Sequence, residues 1–172
     1  VLDAIATARD LVFHPIKVNA VVIRGLNDHE VERLVAFSLE QGAVMRFIEF
    51  MPLDSSRAWL RSMVVPGAEL VDRLQAAFDL EPGPRAHPAE TARRWRVRDG
   101  GGEIGIIAPV TEPFCGHCNR LRLTADGQVR TCLFSTSEHD LKGALRAGHT
   151  DAEVRAELAR IVWRNEDRHH IG

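Results

Sequence analysis

The feature that most limits the fold is a succession of strand, helix and strand patterns in residues 16–50. Residues 16–23 and 44–50 are rich in β-branched side chains, which favour strands. Between them the apolar residues have helical spacing, and Gly42 follows the predicted helix as a typical C-terminal residue. A strand–helix–strand unit closes as a right-handed crossover, so we expect the two strands to be parallel neighbours. This pattern predicts an α/β fold.

The rest of the chain contains further helices and predicted hairpins. Helically spaced apolar residues predict a helix around residues 70–78, and Asp126-Gly127 between two β-rich runs is a strong hairpin signal. Two possible capping boxes, in which a side chain at a helix start pairs with Glu three positions later, begin at Asn27 and Thr150. We therefore expect the first α/β part to be followed by an extension of strands and helices.

Charge and hydropathy narrow the classes of function. The 172 residues carry a formal net charge of −2, so the chain as a whole has no attraction for nucleic acid or anionic membranes. No apolar run reaches bilayer length, and the N-terminal residues lack the pattern of a signal peptide. We therefore expect a cytoplasmic protein with no nucleic-acid or membrane partner. Because it begins with Val1 rather than Met, we expect it to be a piece of a longer protein.

The three cysteines of the chain, Cys115, Cys118 and Cys132, all lie in one short window. An odd number of cysteines without an export signal argues against disulfides and favours a metal or cluster site. The first two have the spacing by which one turn can hold a metal. If the Asp126-Gly127 turn has two residues, Leu121 faces Cys132 across the hairpin and the thiols converge. Three thiolates suit zinc or an iron–sulfur cluster. The candidates for a fourth zinc ligand are His117, His139 and His170.

Two arginines follow the cysteine pair at alternate positions, Arg120 and Arg122. On a strand they would share one face, where two guanidinium groups could bind phosphate oxygens bidentately. A solvated edge strand is the alternative explanation, because basic residues commonly protect sheet edges. The residue types alone favour this second interpretation.

Several segments match motifs known from one enzyme family. They are Lys17-Val18-Asn19-Ala20-Val21 with Arg24-Gly25-Leu26-Asn27-Asp28, Arg46-Phe47-Ile48-Glu49-Phe50-Met51-Pro52, Pro113-Phe114-Cys115-Gly116-His117-Cys118-Asn119-Arg120-Leu121-Arg122-Leu123, and Ala125-Asp126-Gly127 with Arg130-Thr131-Cys132-Leu133. These segments resemble the GTP 3′,8-cyclase family, which consists of radical S-adenosylmethionine enzymes of molybdenum cofactor biosynthesis. The cysteine motif with its arginines is the most specific of them, and the likeness is weakest from Ala68 to Arg98.

The resemblance implies a fold and a cluster. Residues 1–66 would be the C-terminal part of an incomplete radical-SAM (β/α) barrel, and residues 67–172 a C-terminal α+β extension. In the family, the residues matching Cys115, Cys118 and Cys132 hold a [4Fe–4S] cluster with one open iron, which the purine of GTP occupies.

The resemblance also assigns ligands to individual residues. Those matching GTP-binding positions are Lys17, Arg46, Arg120, Leu121 and Arg122. Those matching S-adenosylmethionine-binding positions are Met51 and Asn19. The activity implied is that of a lyase, which uses S-adenosylmethionine radical chemistry to convert GTP to (8S)-3′,8-cyclo-7,8-dihydroguanosine 5′-triphosphate. The implied partners are the cyclic pyranopterin monophosphate synthase that follows in the pathway and a second copy in a possible homodimer.

One part of the family pattern is absent from this sequence. The C-x₃-C-x₂-C motif that holds the family's second [4Fe–4S] cluster needs cysteines that this chain lacks. We therefore expect the chain to be the C-terminal half of the enzyme, unable by itself to cleave S-adenosylmethionine. Two alternatives remain from the residues alone: a zinc-stabilised nucleotide-binding module without catalysis, and the accessory-cluster domain of a peptide-modifying radical enzyme, which usually contains more cysteines.

Overall fold

The computed structural model of the chain describes residues 1–53, 58–99, 101–135 and 137–163. It is a mixed α/β structure that divides into two compact units, Val1–Phe114 and Cys115–Gly172. The elements in chain order are α1 Leu2–Asp10, β1 Lys17–Val22, α2 Val31–Glu40, β2 Val44–Glu49, α3 Gly67–Ala77, β3 Leu80–Pro82, β4 Arg93–Val97, β5 Gly102–Ile107, β6 Arg122–Leu123, β7 Gln128–Arg130, β8 His139–Asp140, α4 Leu141–Arg146 and α5 Asp151–Trp163.

The first unit is built on a five-stranded mixed sheet in the order β1-β2-β5-β4-β3. The pairing of β1 with β2 is parallel, with Lys17 opposite Val44 and Asn19 opposite Arg46, which confirms that the two strands are parallel neighbours. Strand β5 is parallel to β2, whereas β4 and β3 are antiparallel additions. The sheet that residues 1–66 begin is therefore completed by residues 67–114. The division at residue 66 stays a prediction about domains.

The hydrophobic core lies on one face of this sheet, beneath α2 and α3. Alternate residues of β2, Met45 and Phe47, are fully buried there, as are Leu70 and Leu74 of α3. The period of two along the strand and the helical spacing along α3 direct these side chains to a common layer. The opposite face of β1 and β2 carries the polar residues Lys17, Asn19 and Arg46 among apolar ones such as Val44 and Ile48.

The second unit contains a small three-stranded sheet in the order β6-β7-β8, followed by α4 and α5. The second predicted capping box is confirmed, because the Thr150 amide donates to Glu153 Oε2 at 2.8 Å and the Glu153 amide donates to Thr150 Oγ1 at 3.4 Å. No helix within the described ranges is long and apolar enough to cross a bilayer.

The first predicted capping box is wrong. No side-chain capping hydrogen bond forms at Asn27. Its side chain instead accepts from the Ile23 amide at 2.8 Å and donates to the Val21 carbonyl at 2.9 Å. The amide group therefore closes the turn after β1 and is not available to the helix.

Candidate functional site

A cavity of about 1000 Å³ lies on the first unit, on the polar side of the sheet. Lys17 and Arg46 line it, together with Thr91 and Gly105. Asn19 lies directly opposite Arg46 in the β1–β2 register, so the period of two places its side chain on the same face. Three of the residues predicted to bind ligands therefore share one side of the sheet.

The cations of this cavity differ in their partners. Arg94 contacts Glu103 at 2.5 Å, Arg96 lies 3.7 Å from Glu81, and Arg98 also contacts Glu81 at 3.0 Å. Neither Lys17 nor Arg46 forms an ion pair with any described carboxylate. Lys17 and Arg46 therefore contribute positive charge to the cavity that no described carboxylate compensates. These are two of the residues that the family resemblance assigned to GTP binding.

The C-terminal end of β2 is fixed by a fully buried carboxylate, Glu49. It accepts hydrogen bonds from the Gly67 and Val110 amides, both at 2.8 Å, and from the Thr111 amide at 2.9 Å. The Thr111 hydroxyl donates to the same carboxylate. Gly67 is the first residue of α3, whose amide end favours negative charge. This carboxylate therefore joins β2 to α3 and to the segment after β5.

Met51 follows this anchored strand end and is half-buried. The neighbouring Phe50 carbonyl accepts a hydrogen bond from Trp59 Nε1 at 2.9 Å, and the Leu53 amide donates to the Met51 carbonyl at 2.8 Å. The backbone around the predicted S-adenosylmethionine-binding methionine is thus held from both sides.

In the second unit, a short 3-10 turn, Cys115–His117, carries the first thiol. The Cys118 amide donates to the Cys115 carbonyl at 3.0 Å, which keeps the two residues in one turn. Arg120 Nε and Nη2 both donate to Cys118 Sγ, at 3.3 and 3.1 Å. This paired contact binds a guanidinium to a sulfur that would hold a metal.

The contact changes the acidity of the thiol. Burial by itself would raise the pKa of Cys118, but backbone and side-chain hydrogen bonds from Arg120 and the charges of Arg120 and Arg122 outweigh burial and lower it. Because the thiolate is the form that binds metals, this environment prepares Cys118 as a ligand.

The third thiol, Cys132, accepts a hydrogen bond from the Phe134 amide at 3.5 Å. It follows the predicted hairpin, but the register differs from the expected one. Arg122 pairs with Arg130 and Leu123 with Val129, so the loop has three residues and not two. Continuing that register sets Arg120, and not Leu121, opposite Cys132. Arg120 lies before β6 rather than in it, so the condition for a shared strand face of Arg120 and Arg122 is not met. Their role as nucleotide ligands stays a prediction.

Within the described ranges, no group of three or more His, Cys, Asp or Glu side chains is arranged to hold a metal ion. All three cysteines are free and partly buried. Of the histidines considered as zinc ligands, His117 and His139 belong to the described chain, and His170 lies outside it. The donor set itself, three partly buried thiols with N–H donors directed at two of the sulfurs, fits a thiolate-bound metal or cluster. Convergence of the three thiols stays a prediction.

Comparison with known proteins decides the family. The family described as Molybdenum Cofactor Synthesis C matches residues 43–171. The chain belongs to this family. The matched range of the Molybdenum Cofactor Synthesis C family includes the cysteines and Arg46, and it leaves out the N-terminal helix and β1.

Three similar curated proteins are named GTP 3′,8-cyclase. They come from Acidothermus cellulolyticus, 45% identical over 98% of this chain; from Rhodopirellula baltica, 46% over 99%; and from Streptomyces coelicolor, 46% over 95%. The alignments cover 48%, 48% and 47% of those relatives. The chain thus spans about half the length of the curated relatives it matches.

The sequence did not indicate several residues that shape these sites in the folded chain. Glu49, Trp59, Thr91 and Gly105 act through contacts with residues that are distant in sequence, such as Thr91 with Arg46. One signal in the sequence could have identified Glu49. It is an acidic residue at one of the alternate positions of β2 whose side chains face the core, and this indicates a buried carboxylate with fixed partners.

Gly127, in the hairpin between the cysteines, offers a direct stability test. Its φ is +84°, and a Cβ there would lie 2.5 Å from the Lys142 Cβ. We expect Gly127→Ala to lower the free energy of unfolding by about 1–3 kcal/mol, through backbone strain and the collision with Lys142. Urea unfolding followed by circular dichroism measures the loss.

The matched control for this substitution is Gly148→Ala, whose φ is +79° and whose Cβ would have no neighbour within 4 Å. It should cost about 1 kcal/mol, the strain alone. Equal losses in the two variants would show that contact with Lys142 contributes nothing.

Proposed function

We propose that the chain supplies the GTP-binding, cluster-bearing part of a GTP 3′,8-cyclase. The observation that carries this proposal is the paired hydrogen bond from Arg120 to Cys118 within the cysteine motif. Family membership and the names of the relatives support the same activity. The full enzyme is proposed to be a lyase that converts GTP to (8S)-3′,8-cyclo-7,8-dihydroguanosine 5′-triphosphate, for use by cyclic pyranopterin monophosphate synthase.

The proposed resident group is a [4Fe–4S] cluster held by Cys115, Cys118 and Cys132. When bound through three thiolates, such a cluster supplies one iron with a free coordination position, to which a purine can bind. Arg120 lowers the pKa of the Cys118 thiol and so favours its thiolate form. By resemblance to the family we assign Arg120, Arg122 and Leu121 to the nucleotide. These roles need no residue outside the second unit.

The triphosphate and S-adenosylmethionine are assigned to the first unit. Lys17 and Arg46 are the proposed phosphate ligands, because a buried anion is stable only when it is paired and they lack carboxylate partners. Met51 and Asn19 are the proposed contacts to S-adenosylmethionine. The second [4Fe–4S] cluster needs cysteines that this sequence lacks, so we propose that the chain alone does not cleave S-adenosylmethionine.

The alternative of a zinc-stabilised nucleotide-binding module has one favourable observation. A thiolate with a lowered pKa suits zinc as well as iron. The alternative shares the nucleotide site with the main proposal and differs from it in metal content and in the absence of turnover.

Variants that remove a positive charge should distinguish the cations that bind GTP from those already held in an ion pair within the chain. We expect Arg46→Ala, Lys17→Ala and Arg120→Ala each to weaken GTP binding by about 1.5–3 kcal/mol, the usual worth of a charge-assisted contact. Arg120→Lys should not restore affinity, because an ammonium cannot reproduce the guanidinium fork. Titration calorimetry on the anaerobically reconstituted chain measures the effect.

The matched control is Arg96→Ala, which removes a cation of the same cavity that already faces Glu81. It should leave GTP affinity within about twofold, as for a surface charge that already has a partner. Wild-type affinity in Arg46→Ala, Lys17→Ala and Arg120→Ala would contradict the assignment of these residues.

Turnover tests the whole activity. The chain can be joined to the part of the Acidothermus cellulolyticus relative that it does not cover, and the product assayed anaerobically with GTP and S-adenosylmethionine. We expect cyclised GTP to form and to disappear in the Cys118→Ser variant. Cleavage of S-adenosylmethionine with GTP left unchanged would contradict the proposed activity.

A further inference from the structure

The side chain of Arg46 lies in a gap that one residue of the neighbouring strand leaves open. Gly105 of β5 is directly opposite Arg46 of β2. A Cβ at Gly105 would lie 3.2 Å from Arg46 Cγ and 3.2 Å from Ala92 Cβ. A Cβ at position 105 would therefore press on both the aliphatic stem of Arg46 and Ala92, and one of them would have to shift by a few tenths of an ångström.

The guanidinium at the end of this stem has a single hydrogen-bond partner in the described chain. Arg46 Nη2 donates to Thr91 Oγ1 at 3.3 Å, across 45 positions of sequence. Arg46 Nε is buried without any partner. Because buried polar atoms are nearly always satisfied, an unpaired Nε in an arginine that lines a cavity indicates that this guanidinium lacks a partner among the described residues.

The neighbouring arginine, Arg94, differs from Arg46 because a carboxylate neutralises its guanidinium. Arg94, opposite Gly105 on the other side, is held by Glu103 at 2.9 and 2.5 Å. The hydroxyl of Thr91 is neutral, so it orients the Arg46 guanidinium without cancelling its charge. Orientation without neutralisation is what an anion-binding arginine requires.

We propose that Thr91 and Gly105 are positioning residues, which hold the Arg46 guanidinium for the phosphate oxygens of a nucleotide. Gly105 gives the stem its path, and Thr91 accepts one N–H from Nη2. Because Nε is buried, the donors that remain for the anion are those of the two terminal nitrogens, Nη1 and Nη2. This inference rests on the proposed function of the cavity and adds two residues to it.

The test compares three single variants by calorimetric titration of the reconstituted chain with GTP, inorganic tripolyphosphate and guanosine. Thr91→Val keeps the shape of threonine without its hydroxyl. It should lower the affinity for GTP and for tripolyphosphate roughly 3- to 10-fold, the usual contribution of one hydrogen bond. Thr91→Ser should restore wild-type affinity. Gly105→Ala should weaken both phosphate ligands at least as much as Thr91→Val, and guanosine affinity should not change.

A double-mutant cycle shows whether the two residues act through Arg46. In an Arg46→Ala background, adding Thr91→Val or Gly105→Ala should cause no further loss, because coupled residues are not additive. Losses that simply add, or wild-type affinity in Thr91→Val, would overturn the inference. If Arg46→Ala itself binds GTP and tripolyphosphate like wild type, the proposed function of this cavity fails instead. Thermal unfolding midpoints close to that of wild type in Thr91→Val and Gly105→Ala exclude loss of the fold as the cause.

Discussion

Replacing Cys132 with Ala is expected to abolish cluster binding in the anaerobically reconstituted chain. A cluster held by three thiolates has no spare protein ligand, and two thiolates from one turn cannot close the site. Wild type should bind about four iron atoms and equivalent sulfide per chain, and the variant nearly none. Iron and acid-labile sulfide analyses measure the difference. Cys115→Ser and Cys118→Ser should behave in the same way.

The matched control is His117→Ala, which removes the nearest alternative ligand in the same turn. A three-cysteine cluster predicts full iron retention in this control, whereas a zinc site with His117 as fourth ligand predicts loss of metal. Full iron retention in Cys132→Ala would contradict the assignment of the three thiols. Zinc in place of iron in the reconstituted wild type, lost in His117→Ala, would establish the alternative.

The second large effect is expected at Glu49. Glu49→Ala removes the acceptor of three backbone amides in a fully buried site. Because each unsatisfied buried donor is costly, we expect the free energy of unfolding to fall by about 3–5 kcal/mol. That is a large share of the roughly 5–15 kcal/mol by which domains are stable. Urea unfolding with an unchanged slope measures it.

Glu49→Gln refines this test because it keeps the size of the side chain. Its amide nitrogen must face an N–H donor, so we expect a loss between that of Glu49→Ala and none. Glu40→Gln is the matched control, an exposed carboxylate at the end of α2 that should change stability by less than about 0.5 kcal/mol. If Glu49→Gln and Glu40→Gln had the same free energy of unfolding, the buried carboxylate would not be a structural anchor.

The local sequence pattern was sufficient to predict an element where a single physical effect determines its structure. The parallel pairing of β1 and β2 follows from β-branched runs on either side of an amphipathic helix, since the crossover has one favourable hand. The Thr150 capping box formed as predicted, and the Thr150 hydroxyl also donates to Glu153. Asn27 has the same spacing to Glu30, but the turn after β1 needs its amide, and that demand is tertiary.

The site was predictable only in part. The cysteine motif and the residues proposed to bind phosphate are visible as motifs. The hairpin register, however, depends on whether the loop has two or three residues, and Asp126-Gly127 permits both. The contacts of Arg46 with Thr91, and of Glu49 with Val110, span 45 and 61 positions of sequence. No local pattern encodes such contacts, because they arise when β5 and the segments beside it pack against β2.

We propose that this chain holds a cluster with an iron open to GTP. Electron paramagnetic resonance of the reduced, reconstituted chain tests this directly during titration with GTP, at concentrations that calorimetry shows to be saturating. We expect a saturable change in the cluster spectrum that Cys132→Ala abolishes with the cluster itself and that Arg120→Ala shifts to higher GTP concentration. A fully loaded cluster whose spectrum stays the same while GTP binds would contradict it.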